Sequence, residues 1–161
     1  MPIEPVWIIS ARKEIGVREI HGTQHNAAIV GYWKDVHLSG VKDDETAWCA
    51  AFVGAMLERN GITSTRSGAA RSYLSWGTPL NGPVPGCIVV FSREGGGHVG
   101  FVVGRDKLGH LQVLGGNQGD CVCIAAFKTD RIAGLRWPAG IPVPSDPLPV
   151  LAGADLSRSE A

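Results

Sequence analysis

The sequence predicts an α+β domain, with helices in its first half and an antiparallel sheet in its second. Three observations point there. Apolar residues recur at helical spacing up to residue 76, short β-branched runs follow from residue 87, and glycine is concentrated where those runs turn. Residues 77 to 119 hold 12 of the 22 glycines, as hairpin turns and bends require.

The elements follow in order. Trp7 to Ile15 carries Trp7, Ile8, Ala11 and Ile15 on one helical stripe, and Gly16 can close it. Asn26 to Val36 repeats the pattern with Ile29, Val30, Trp33 and Val36. Thr46 to Arg59 is the clearest helix, with Cys49, Phe52, Val53, Met56 and Leu57 on its stripe. Thr46 is its expected N-cap and Asn60-Gly61 its stop. Ser67 to Trp76 is a shorter helix ended by Gly77. The turn Pro83 to Gly86 then leads into five strands: Cys87 to Phe91, His98 to Gly104, His110 to Gly115, Cys121 to Phe127 and Ala133 to Trp137. From Pro138 the last 24 residues hold five prolines and no aromatic, the signature of an extended, mobile tail. The chain therefore divides into a body, 1–137, and a tail, 138–161.

A length of 161 residues suits one domain. Fifteen Lys and Arg balance fifteen Asp and Glu, which excludes a general basic surface and with it nucleic acid as the main partner. At 44% hydrophobic residues the chain can build a core. No apolar run approaches the roughly 18 to 20 residues that span a bilayer, so no membrane insertion is expected. The first ten residues lack the basic and apolar regions of a Sec signal. The expectation is synthesis in the cytoplasm and export or release by another route.

Four cysteines stand out. Cys87, Cys121 and Cys123 read as small buried hydrophobes in a reduced protein, since C-x-C is not a zinc-knuckle spacing. Cys49 differs because it falls in the first turn of its helix. Unpaired N–H groups and the macrodipole there favour an anion, and a thiolate is the nucleophilic form of cysteine.

A nucleophilic thiol needs a base. His21, His25 and His37 lie in or beside the helical half, and His110 begins a strand. His98 follows three glycines and opens the strand H-V-G-F-V-V-G. If that strand pairs with His110–Gly116 across a turn near Lys107 and Leu108, His98 faces Gly116 or Asn117. A side-chain amide oxygen there can accept the Nδ1–H of the ring and aim Nε2 at the thiol. Asn117 is the orienting residue this predicts, with Asp120, Gln118 and Glu94 behind it.

These residues resemble the papain-like peptidoglycan hydrolases of the CHAP and NlpC type, and among them a small phage and bacterial endolysin-like group. The motifs are A-W-C-A-A-F-V (Ala47 to Val53), P-x-P-G (Pro83 to Gly86), G-H-V-G-F (Gly97 to Phe101), L-G-G-N-Q (Leu114 to Gln118) and R-W-P (Arg136 to Pro138). The ordered set covers residues 7 to 138. The resemblance implies a papain-like fold and cleavage of an amide bond in the stem peptide or its link to the sugar, through a thioester. Cys49 would be the nucleophile, His98 the base and Asn117 its orienter. Trp48 and Gln118, by adjacency to these positions, and Trp76 and Tyr73, from the loop ahead of the sheet, are the candidates to line the substrate cleft, with core packing the alternative for each tryptophan. It implies bacterial peptidoglycan as substrate, with a secretion or phage delivery partner or a cognate inhibitor. No metal or organic cofactor is required. Asp43, Asp44 and Glu45 stand where some CHAP domains bind calcium, but without EF-hand spacing, and a capping role is expected of them. Two positions depart from the family: Gly115 stands where many CHAP domains have Glu, and Cys87 where related hydrolases have Asp. The same scaffold could instead carry a deamidase or transglutaminase-type activity on protein, or serve as a non-catalytic wall-binding module.

Overall fold

The computed structural model describes residues 4–21, 24–41, 47–93 and 96–151. Three helices lead: α1 (Val6–Lys13), α2 (Ala27–Asp35) and α3 (Cys49–Glu58), followed by a 3₁₀ helix at Ala70–Ser75. Six strands follow: β1 (Thr78–Pro79), β2 (Ile88–Arg93), β3 (Gly96–Arg105), β4 (Leu111–Gln118), β5 (Cys121–Phe127) and β6 (Ile132–Trp137). They form one antiparallel sheet in the order β1-β6-β2-β3-β4-β5. The α+β class and the helices-then-sheet order are as expected. The sixth strand is the two-residue β1, too short to leave a pattern in sequence.

Each helix has a local cause. Asn26 caps α2 by accepting the Ala28 N–H at 2.8 Å. α1 carries Arg12 and Lys13 in its last turn, where the macrodipole favours cations. α3 is not the amphipathic helix the stripe suggested, because every residue from Cys49 to Leu57 is buried. It is the central helix, packed between α1 and α2 on one side and β3 and β4 on the other. It also starts later than expected: its N-cap is Trp48, which makes no side-chain capping bond. Thr46 lies outside the described residues, as do Asp43, Asp44, Glu45 and Glu94.

Aromatic rings fasten α3 in place. Phe52 meets Tyr32 edge-on at 5.3 Å and Phe101 at 6.4 Å. Phe52 is fully buried, and its truncation to alanine would cost about 3–5 kcal/mol. The backbone of β4 comes so close to α3 that a Cβ on Gly116 would lie 2.7 Å from both Phe52 and Trp48.

The β3–β4 hairpin is set by Asp106. Its carboxylate accepts the Leu108 and His110 N–H groups and pairs with His110 Nδ1, each at 2.9 Å. Phe101 then pairs with Leu114 and Val102 with Val113, the register expected from sequence. The far end of β4 departs from it: the pairing with β5 slips between Gly115 and Gln118, and Asn117 lies in the left-handed region at φ 58°.

The described part of the tail is docked, where a mobile segment was expected. Arg105 N–H donates to Pro149 O at 2.9 Å and Leu151 N–H to Arg105 O at 2.8 Å. Leu148 and Leu151 pack on the core. Among the described residues, no helix is long and apolar enough to cross a membrane.

Candidate active site

Cys49 is the first residue of α3 and is 6% exposed. Its thiol lies against the backbone amide of Val99, the neighbour of His98 on β3. The N–H groups of that first helical turn have no intrahelical partner, and Trp48 provides no side-chain cap for them. Burial pushes the Cys49 thiol up from its ordinary pKa. Hydrogen bonds from the Val99, Ala50 and Cys49 backbone and the charge of Arg93 pull it down by less. The expected gain from the helix N-terminus is therefore outweighed, and the resting group is the thiol.

His98 is 2% exposed. Its ring stacks on Phe127 at 5.3 Å with 13° between planes, and Phe127 stacks on Phe91 at 4.7 Å. Burial brings its pKa down to about 4, and the positive charge of Arg93 adds to the effect. At neutral pH the imidazole is uncharged and able to accept a proton.

The orientation of that ring follows from Gln118. Gln118 Oε1 lies 2.9 Å from His98 Nε2. The other end of the same amide, Nε2, donates to Val113 O at 3.2 Å and to Cys123 O at 2.9 Å. Those two carbonyls accept only, so the amide cannot be flipped. Its oxygen must therefore face the ring, and His98 Nε2 must carry the hydrogen. Nδ1 is then the nitrogen with a free lone pair. This corrects two expectations: the amide at the ring belongs to Gln118 and not Asn117, and the nitrogen it holds is Nε2 and not Nδ1. The slip in β4 is the cause, since it turns Asn117 into a left-handed bend and brings Gln118 onto the His98 side. Asn117 makes no hydrogen bond to His98. Gly115 leaves the necessary space, because a Cβ there would overlap Gln118 Oε1.

The four residues expected to line a cleft divide differently. Trp48 and Tyr73 have no exposed surface and are core side chains here. Trp48 Nε1 donates to Glu19 Oε1 at 2.7 Å. Gln118 is buried and holds His98. Trp76 is half-buried, and its Nε1 donates to Thr63 O at 3.0 Å. It lines a cavity of about 400 Å³ with Ile62, Thr63 and Ile141. That cavity lies beyond the C-terminal end of α3, roughly 15 Å along the helix from Cys49. A second cavity, of about 430 Å³, lies between Trp7, Trp137 and the tail prolines. Neither contains Cys49 or His98.

Arg93 was missed in the sequence. Its charge reaches both Cys49 and His98, yet S-R-E ahead of three glycines reads as an ordinary turn. Among the described residues, Glu19, His21 and Asp120 bring potential metal-ligand atoms within 4.8 Å of one another. His21 and Asp120 are exposed and pair with each other at 3.4 Å.

The site is thus a buried thiol at a helix N-terminus beside a neutral histidine held by an amide on an adjacent strand. Such an arrangement suits nucleophilic attack on a carbonyl. Residues 41–117 match the family model described as the CHAP domain. CHAP domains are typically cysteine- and histidine-dependent amidohydrolases or peptidases, and the match supports a peptidoglycan hydrolase of the CHAP type. No curated protein matches the chain.

Proposed function

We propose that the protein hydrolyses an amide bond of bacterial peptidoglycan, in the stem peptide or at its link to the sugar. The Cys49 Sγ attacks the carbonyl carbon as its proton passes to His98 Nδ1. The Cys49 N–H and its neighbours at the start of α3 receive the developing oxyanion. His98 returns the proton to the leaving amine, which leaves a thioester on Cys49. Water, deprotonated by His98, then releases the acid. Gln118 Oε1 accepts the Nε2–H throughout and stabilises the imidazolium while it lasts. Action in the periplasm or cell wall, after export or phage release, belongs to the same proposal.

The observation that carries this reading is the fixed Gln118 amide, because it leaves His98 one basic nitrogen, and the Cys49 thiol lies against the residue next to that ring. Mass spectrometry of muropeptides from digested peptidoglycan tests it. New cleavage products are expected from the native protein and none from Cys49→Ala. Equal products from both would overturn the nucleophile. No products from a folded native protein would point to a protein substrate or a binding role.

A further inference from the structure

β5 opens with two thiols on the same face of an edge strand, directly behind the residue that holds His98. Cys121 Sγ donates to Gln118 O at 3.2 Å and Cys123 Sγ to the same oxygen at 3.4 Å. The two thiols are also within hydrogen-bonding reach of each other. Cys121 is 8% exposed and Cys123 is half-buried. Cys123 also grips the Gln118 side chain: its carbonyl accepts the amide N–H at 2.9 Å, and its sulfur lies 3.7 Å from the same nitrogen. Cys87, by contrast, is fully buried.

We propose that Cys121 and Cys123 form a second covalent site, a dithiol that low-molecular-weight disulfides oxidise to a Cys121–Cys123 bridge, and that closing this bridge releases Gln118 from His98. The more accessible Cys123 sulfur attacks one sulfur of the reagent, forms a mixed disulfide and expels one thiolate. The Cys121 sulfur then attacks Cys123 Sγ, closes the bridge and expels the second thiolate. Two S–H bonds break in the protein, their protons pass to the two released thiols, and the reagent's disulfide is reduced by two electrons.

Strand geometry supplies the coupling. Residues two apart on an extended strand have Cα atoms about 6.8 Å apart, whereas disulfides favour about 5.5–6 Å. Closing the bridge therefore draws the start of β5 together by about 1 Å. The carbonyl of Cys123 moves with it, and that carbonyl is one of the two acceptors that fix the Gln118 amide. A bridge under such strain is readily reduced again. Its effect on hydrolysis rests on the reading of His98 as the base, but formation of the bridge does not.

The test uses the full chain carrying Cys49→Ala, so that the nucleophile cannot react with the reagent. After incubation with oxidised glutathione, intact mass should fall by two hydrogens, and peptide mapping should link residues 121 and 123. Dithiothreitol should reverse both, and Cys121→Ala in the same background should show only a glutathione adduct. Imidazole ¹⁵N–¹H spectra should show the His98 Nε2–H signal shift or broaden when the bridge closes. Absence of the linked peptide overturns the site. A linked peptide with an unchanged His98 signal overturns the coupling. A reduced native protein that releases no muropeptides overturns the functional reading and leaves both of these readouts intact.

Discussion

Gln118 reaches the His98 ring through the space that a side chain on Gly115 would fill. A residue with no chemistry of its own thereby governs the tautomer of a buried histidine. Where a Glu was the family expectation at position 115, the glycine lets a neighbour three residues on approach the ring instead.

The first prediction separates the two adjacent amides. Gln118→Ala should lower kcat for muropeptide release by about one to two orders of magnitude, with a smaller change in KM, because the imidazolium loses its acceptor. Asn117→Gly should retain most activity, since glycine accepts the left-handed φ of 58° at that position. Steady-state kinetics on both decides the matter, and the reverse ranking would restore Asn117 as the orienter.

Gly115→Ala should behave as an active-site mutation although it adds one methyl group. The new Cβ must displace Gln118 Oε1, so activity should fall with Gln118→Ala while circular dichroism stays native. Full activity would mean that the amide can hold the ring from another position.

Acid should destabilise the fold in a defined window. His98 has a pKa of about 4 when folded and about 6.5 when unfolded. Between these values the unfolded chain binds the extra proton, so its contribution to stability is intact above pH 6.5 and is lost as pH falls towards 4. Urea midpoints measured from pH 7 to pH 4 should decline, and His98→Gln should flatten that decline.

Arg93 should tune the thiol. Its charge lowers the Cys49 pKa and disfavours the imidazolium of His98. In Arg93→Gln the pH midpoint for alkylation of Cys49 by iodoacetamide should move upward. An unmoved midpoint would remove Arg93 from the site.

The sequence revealed the fold where side chains obey a period. β-branched runs marked the long strands, and the turn near Lys107 and Leu108 was placed well enough to set Phe101 opposite Leu114. The positions of Cys49 and His98 were legible as well, since a cysteine at a helix start and a histidine after three glycines are both local signals. The amide that meets His98 was not, because it depends on an irregularity. A slip between Gly115 and Gln118 changes which side chain faces the ring, and no periodicity records it. Trp48 was read from its adjacency to Cys49 and Tyr73 from the loop ahead of the sheet, and neither signal records the direction in which an aromatic ring points.

The start of β5 is held by a segment distant in sequence. Gly16 N–H donates to Val122 O, Val122 N–H to Val17 O and Glu19 N–H to Asp120 O, at 3.0, 2.8 and 2.9 Å. Glu19 also holds the Trp48 indole. Residues 16–19 thus cover the start of the β5 edge and tie the turn after Gln118 to the start of α3. The smallest piece of this chain able to assemble the site therefore begins well before residue 41, where the family match starts. Trimming the first twenty residues should therefore loosen the setting of Cys49 and His98 without altering either side chain.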